Sequence, residues 1–228
     1  MKTLILAFSL LGLLGISAVA QDDPFDTSKL PAAVDKPEQF AQVGWKVEEV
    51  VSGDLNGDGK ADAAIKLAQI DASKESGIGG DRTLVIAFSE NGKWKRVATA
   101  TKLLQCVDCG GAFYGVLPAP AEVRIAKGVL EIENEHGSRN VSRSTFKFRY
   151  DATGRFLLIG YDYVDYDRLD ASDTNESTNY LTNTRITKIS KGKRASNKRS
   201  VIKPTKIYIE DADGDEIEGQ ALHRLGLD

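Results

Sequence analysis

Apolar and polar residues alternate along most of this chain in short runs, and the runs end in turn-forming residues rather than helix caps. Residues 45–51 and 63–68 read as two strands leading into and out of an acidic loop. Residues 69–80 are polar and glycine-dotted and read as a surface loop. An apolar strand at 83–88 turns back through Asn91-Gly92, a dipeptide suited to a two-residue hairpin, into a strand at 94–101. The same grammar recurs at 122–125 and 129–135 across Lys127-Gly128, and at 145–150 and 156–163 across Asp151-Ala152-Thr153-Gly154. One further strand is expected over 179–189, and alternation resumes at 206–210. Long helical periodicity is lacking, apart from a turn or two at 36–42 with Pro37 in the first helical position. The expected fold is therefore all-β, an antiparallel meander closing as a sandwich, a barrel or partial propeller-like blades, with little helix.

The ends of the chain divide it further. Lys2, an uncharged apolar run at 4–16 and Ala18-Val19-Ala20 have the layout of a cleaved signal peptide at 1–20, cut after Ala20. The expected location is secreted or periplasmic. The apolar run is too short for a comfortable membrane span, and no second one follows. A polar, proline-dotted arm follows at 21–42, then a β domain at 43–190, then a basic linker and acidic C-terminal segment at 191–228. Lys and Arg number 30 against 33 Asp and Glu, a net charge of −3 that asks for no polyanionic partner overall. The one local excess is the basic run 188–206, which has no acid in it. Its plain reading is a solvated loop or linker, and its sharper reading is a patch for an anionic polymer or membrane surface. No aromatic residue interleaves it, and no nucleic-acid partner is expected.

The richest chemistry lies in the acidic loop. Asp54, Asn56, Asp58 and Asp62 occupy positions 1, 3, 5 and 9 of an EF-hand-type calcium loop, and Lys60 at position 7 offers its backbone carbonyl. Gly59 falls where that loop turns sharply. A hard cation neutralises carboxylates crowded this closely and uses their oxygens as ligands. Calcium tolerates the flexible geometry better than magnesium does. The stretch 53–62, set between two strands, resembles the calcium loop of the FG-GAP/VCBS repeat of integrin-type β-propellers. The resemblance covers a single copy, from Trp45 to Leu67. It implies that Asp54, Asn56, Asp58, Asp62 and the Lys60 carbonyl are calcium ligands. More loosely, the layout is similar to small exported bacterial proteins that combine such a loop with a C-x-x-C-Gly-Gly segment and a late Asn-Tyr-Leu-Thr strand. Here these are 106–111 and 179–182.

Other candidates are weaker. Asp211, Asp213 and Asp215 form a candidate second cation site, or else an exposed acidic turn. Cys106 and Cys109, the only two cysteines, read as a structural disulfide in an oxidising compartment. A redox motif would want the first cysteine at a helix start, and a zinc site would need more than His136 and His223. Glu131, Glu133 and Glu135 share one strand face, a solvated face or a source of glycosidase carboxylates. Tyr161, Tyr163 and Tyr166 interleave with Asp162, Asp165 and Asp167, a composition suited to stacking and hydrogen-bonding a sugar. No Ser-His-Asp set, P-loop or dinucleotide fingerprint appears. The expected function is an exported calcium-binding β protein, a non-enzymatic binding or structural module of the cell envelope or extracellular space, with a protein or glycan ligand of unknown identity. The alternative is a polysaccharide-active enzyme or glycan-binding module using the 161–167 strand.

Overall fold

Two antiparallel meanders follow one another along the chain. A computed structural model describes residues 25–170, 172–191 and 194–227. The expected signal peptide and its cut after Ala20, with the start of the N-terminal arm, lie outside the described residues. The first sheet has five strands in the order β1 (Ala33–Val34), β5 (Lys93–Ala100), β4 (Ile78–Glu90), β3 (Asp62–Ile70) and β2 (Trp45–Gly53). The second has seven, β6 (Ala121–Ala126), β7 (Val129–Gly137), β8 (Asn140–Tyr150), β9 (Phe156–Asp167), β10 (Asp173–Asn179), β11 (Thr184–Lys191) and β12 (Arg194–Val201), each beside its neighbour in sequence. Neither closes into a barrel, so the expected antiparallel all-β fold takes the form of two stacked open sheets. Asn91 and Gly92 both adopt left-handed backbone, with φ 51° and 74°, as the β4–β5 hairpin turn demands.

The space between the sheets is filled from alternate positions. Ala64, Leu84, Ile86 and Phe88 of the first sheet meet Leu130, Ile132, Phe146, Phe148 and Phe156 of the second in one continuous core. The opposite face of the first sheet is also covered. Leu30, Val34 and Phe40 of the N-terminal arm pack with Trp45 on Ala63, Ile65, Leu67, Val85 and Ala87. Burial on both faces explains why 63–68 and 83–88 read as nearly unbroken apolar runs instead of alternating ones. The arm is thus the third layer over β3 and β4. A 3-10 turn at Pro37–Phe40 supplies the short helix expected there.

The C-terminal third departs from expectation in four places. The single strand expected at 179–189 is the end of β10, a turn and β11, with Asn183 in left-handed backbone and the Asn179 side chain accepting from Thr182 N at 2.9 Å. The polar composition of β10 hides it from any apolar pattern. Within the basic run expected as a loop or linker, residues 194–201 pair residue by residue with β11 and form β12. The alternation at 206–210 yields only an isolated bridge from Tyr208 to Leu157. Beyond it lies a helix, α1 (Gly214–Leu225), where an acidic turn or cation site is expected. Ile209, Ala212, Ile217 and Ala221 join the main core, so this segment belongs to the body of the β domain.

Candidate functional site

The acidic loop closes the β2–β3 hairpin, with Gly53 opposite Asp62 as its last pair. Inside it, each short polar side chain bonds the backbone just ahead. Asp54 accepts from Gly57 N at 2.7 Å and Gly59 N at 3.0 Å, Asn56 from Asp58 N at 2.9 Å, and Asp58 from Lys60 N at 2.8 Å. These Asx-type turns, with Gly57 and Gly59 at φ +81° and +80°, wind the loop tightly. Leu55 is buried and pins the loop to the core. Asp62 behaves differently from the others. Its carboxylate is fully buried and accepts from Leu55 N at 2.9 Å and Ser89 N at 3.2 Å, clasping the loop to β4. Burial raises its pKa above the ordinary aspartate range, against the opposing pull of those two N–H groups. A cavity of about 350 Å³ separates the loop from the β6–β7 turn, lined by Gly53, Asp54, Gly57, Ile125, Lys127 and Gly128. Gly53 needs to be glycine, because a Cβ there would stand 2.5 Å from Ile125 Cγ2.

Among the described residues, no group of three or more His, Cys, Asp or Glu side chains is gathered as a metal-holding cluster. The five expected ligand residues do share one loop, and their donors are all hard oxygens, which suits calcium. Asp54, Asn56 and Asp58 turn oxygens onto the loop's own N–H groups, and Asp62 lies at the loop's base.

The other candidate acids are dispersed. Asp213 caps α1 by accepting from Glu216 N at 3.2 Å, and its second oxygen meets Lys102 Nζ at 3.0 Å, which holds its carboxyl below the usual range. Asp211 pairs with Arg155 at 2.7 Å, and Asp215 lines a cavity whose wall Asp213 shares. Two of the trio expected as a second cation site are thus engaged with cations of this chain, Asp211 with Arg155 and Asp213 with Lys102. Asp213 with Glu216 three residues on is the helix-start signal that sequence reasoning missed. Cys106 and Cys109 stand at disulfide distance. Val107 between them is held on both sides, donating to Gly80 O and accepting from Ala119 N, each at 2.7 Å.

A cavity of about 720 Å³ lies where α1 meets the second sheet and includes Lys102, Gln105, Cys109, His136, Asp215 and Glu218 in its wall. His136 Nε2 lies 2.8 Å from one Glu218 oxygen, and Ser144 Oγ donates to the other at 2.5 Å. The Glu218 bond raises the His136 pKa. The carboxylate sits between hydroxyl and imidazole, so the imidazole has no direct path to the serine proton. The order Ser–Glu–His cannot run nucleophilic catalysis in the Ser–His–acid manner. Its effect is to tie α1 to β7 and β8.

Two of the three tyrosines of the 161–167 strand are turned into the core, and Tyr166 is half-buried. Tyr161 and Tyr163 are buried in the core, where burial pushes the Tyr163 hydroxyl up to about 12. Tyr163 bonds Ser142 at 2.9 Å. Asp162 points the other way, to Lys147 at 2.7 Å and Ser177 at 2.5 Å. The glutamates of β7 meet cations: Glu133 lies 3.3 Å from Arg124 and 3.6 Å from Arg143, and Glu135 bonds Arg143 and the Tyr114 hydroxyl.

Sequence reasoning also passed over three buried charges. Arg82, 2% exposed, holds Glu48 in a two-pronged pair at 2.7 and 2.8 Å and donates to the Ala119 carbonyl at 3.0 Å. Lys66 donates to Ala121 O at 2.8 Å and pairs with Glu49 at 3.0 Å. Glu176, 1% exposed, binds Arg185 at 3.2 Å and Arg224 at 2.5 Å. The available signal was a lone charge within an apolar run, as in Ala-Ala-Ile-Lys-Leu-Ala for Lys66.

No protein-family model, curated protein or solved structure matches the chain. No helix among the described residues is long and apolar enough to cross a membrane.

Proposed function

We propose that this protein is an exported, non-enzymatic binding or structural module of the cell envelope or extracellular space, with one calcium ion held by its 54–62 loop. The observation that carries the reading is the loop itself. Its left-handed Gly57 and Gly59 wind Asp54, Asn56 and Asp58 into a few residues at the tip of a hairpin whose base is clasped by Asp62. Asp54, Asn56, Asp58, Asp62 and the Lys60 carbonyl would supply the oxygens. The ion would neutralise crowded carboxylates and cross-link the β2–β3 turn. Ion-binding free energy then becomes folding free energy. The non-enzymatic part is supported by the employment of the other candidate groups. Tyr161 and Tyr163 are core residues, Glu133 and Glu135 are bound to arginines, and His136 is tied to a carboxylate.

The test is a thermal melt of the full mature protein with millimolar calcium and with excess chelator, beside Asp58→Ala. Calcium is expected to raise the midpoint of the natural sequence, and Asp58→Ala to abolish that shift. At a hundredfold excess over Kd, one site stabilises by about 2.7 kcal/mol. Coincident melts in all conditions would reduce the loop to a self-satisfied acidic turn and overturn the calcium reading.

A further inference from the structure

Strand β12 is the free edge of the seven-stranded sheet. It pairs only with β11, and among the described residues no other hydrogen bond involves residues 194–201. Arg194 through Arg199 are all exposed. A strand with one unbonded side presents a row of free N–H and C=O groups, which is a template for another strand. Most charged residues elsewhere in the sheet meet partners, Arg149 of β8 being an exception, whereas Lys188, Arg194, Lys198, Arg199 and Lys203 are gathered at one end and have no ion pair among the described residues.

The distribution of these cations decides what fits. Along a strand, successive side chains point to opposite faces. Lys198 lies opposite Thr187 on the face that carries Glu176 and α1, with Arg194 on the same side. Arg199 lies opposite Ile186 on the other face, and Lys188 shares that face. Positive charge therefore flanks the open edge above and below. A planar membrane would meet one face only. A second copy of β12 would bring like charges together, which disfavours edge-to-edge pairing. An extended acidic peptide fits both features. Its main chain would continue the ladder, and its side chains, repeating about every 6.8 Å on each face, would reach Arg194 and Lys198 on one side and Arg199 on the other.

We propose that β12 is a docking edge for an extended acidic segment of a partner protein, which adds to the sheet as an eighth strand. This names a partner class for the binding module proposed above and rests on that reading. It does not depend on the metal. Calcium and chelator melts report on the loop, whereas a peptide titration run in both conditions reports on the edge, so each idea fails separately.

The experiment titrates the full mature protein with a labelled peptide of three Thr-Glu-Glu repeats. It runs beside the same peptide N-methylated at alternate residues, which keeps every carboxylate but removes half the main-chain donors. Saturable binding is expected, with new hydrogen-exchange protection of β12 amides. A tenfold or greater loss is expected for the methylated peptide, and again for the Lys198→Glu, Arg199→Glu double variant. Lys198→Gln, Arg199→Gln, which adds no repulsion, should show a smaller loss in the same direction. The proposal is overturned if the peptide does not bind, or if the methylated form binds equally well. It is also overturned if the double variants, folded by circular dichroism, retain full affinity. Binding of anionic vesicles or a sulfated polysaccharide without binding of the peptide would overturn it in favour of a charge-only surface.

Discussion

The two ends of the seven-stranded sheet share a hydrogen-bonding pattern and differ in almost everything else. Across β7, β8 and β9, the inner face buries Ile132, Phe146, Phe148 and Tyr161, while the outer face pairs Glu133 with Arg124 and Arg143, and Asp162 with Lys147. Across β11 and β12, the register is equally regular, yet every residue from Arg194 to Arg199 is exposed, and the three cations of that stretch have no ion pair among the described residues. The difference comes from what lies over the inner face. The first sheet and α1 cover the middle strands, and their cover runs out at Glu176 on β10, which α1 reaches through Arg224. A ladder suffices to shape a strand once its neighbour is fixed. Burial is what makes the strand costly to open.

The sharpest way to break the comparison is to remove the cover. Arg82 stands where β2, β4, β6 and the 101–120 segment meet, and Arg82→Met would leave Glu48 without its guanidinium and the Ala119 carbonyl without its donor. A loss of about 3–5 kcal/mol is expected, read as a fall in the urea midpoint at unchanged slope. Glu176→Ala should act next, at about 2–3 kcal/mol. It strands Arg185 and Arg224, both open enough to water to recover some hydration. Hydrogen exchange should then quicken in α1 and β10 before β7 to β9. Equal quickening throughout would show that the covered and uncovered ends open as one unit.

A smaller effect comes from the tie between α1 and β7. The Glu218 bond raises the His136 pKa, with Asp215 of α1 and Asp165 of β9 adding to the pull. A raised histidine pKa in the folded state stabilises the protein fully below the unfolded value, about 6.5. That contribution is lost as pH rises through the folded pKa. Burial raises the Asp165 pKa too, but from the ordinary carboxylate range, so its window lies at lower pH. The melting midpoint should therefore fall between pH 6 and pH 8.5, and Glu218→Gln should flatten that fall. An unchanged slope in the variant would remove His136–Glu218 as its source.

The same contrast explains what was legible in the sequence. Hairpins whose turns carry their own chemistry, at Asn91-Gly92 and Lys127-Gly128, stand out because strand period and turn preference agree locally. Strands β10 and β12 are polar on both faces and owe their pairing to neighbours, so no pattern in their own residues announces them. Helix α1 has legible signs in Asp213, Glu216, the Ile217–Ala221 spacing and Gly226 in left-handed backbone. They compete with a cation-site reading of the same aspartates. The acidic loop shows the ambiguity most clearly. Its oxygen spacing is plain in the sequence, but Asx turns and calcium ligation call for the same residues. The structure adds the role of Asp62, bonded to Leu55 and Ser89 where the other three bond the loop's own tip.

The smallest expected effect is the most informative about the uncovered end. Lys198→Ala and Arg199→Ala remove exposed side chains that form no ion pair among the described residues, and each should change stability by less than about 0.5 kcal/mol in either direction. A modest gain is the more physical sign, since like charges crowd this hairpin and no ion pair among the described residues relieves Lys198 or Arg199. Raising the salt concentration should then shrink the gain, because exposed charges are screened beyond about 10 Å at 0.1 M. A clear loss in either variant would mean that these cations support the fold, and the hairpin would belong with the paired, covered strands. Near-neutral melts would leave the cations without a structural task and point to a partner outside the molecule.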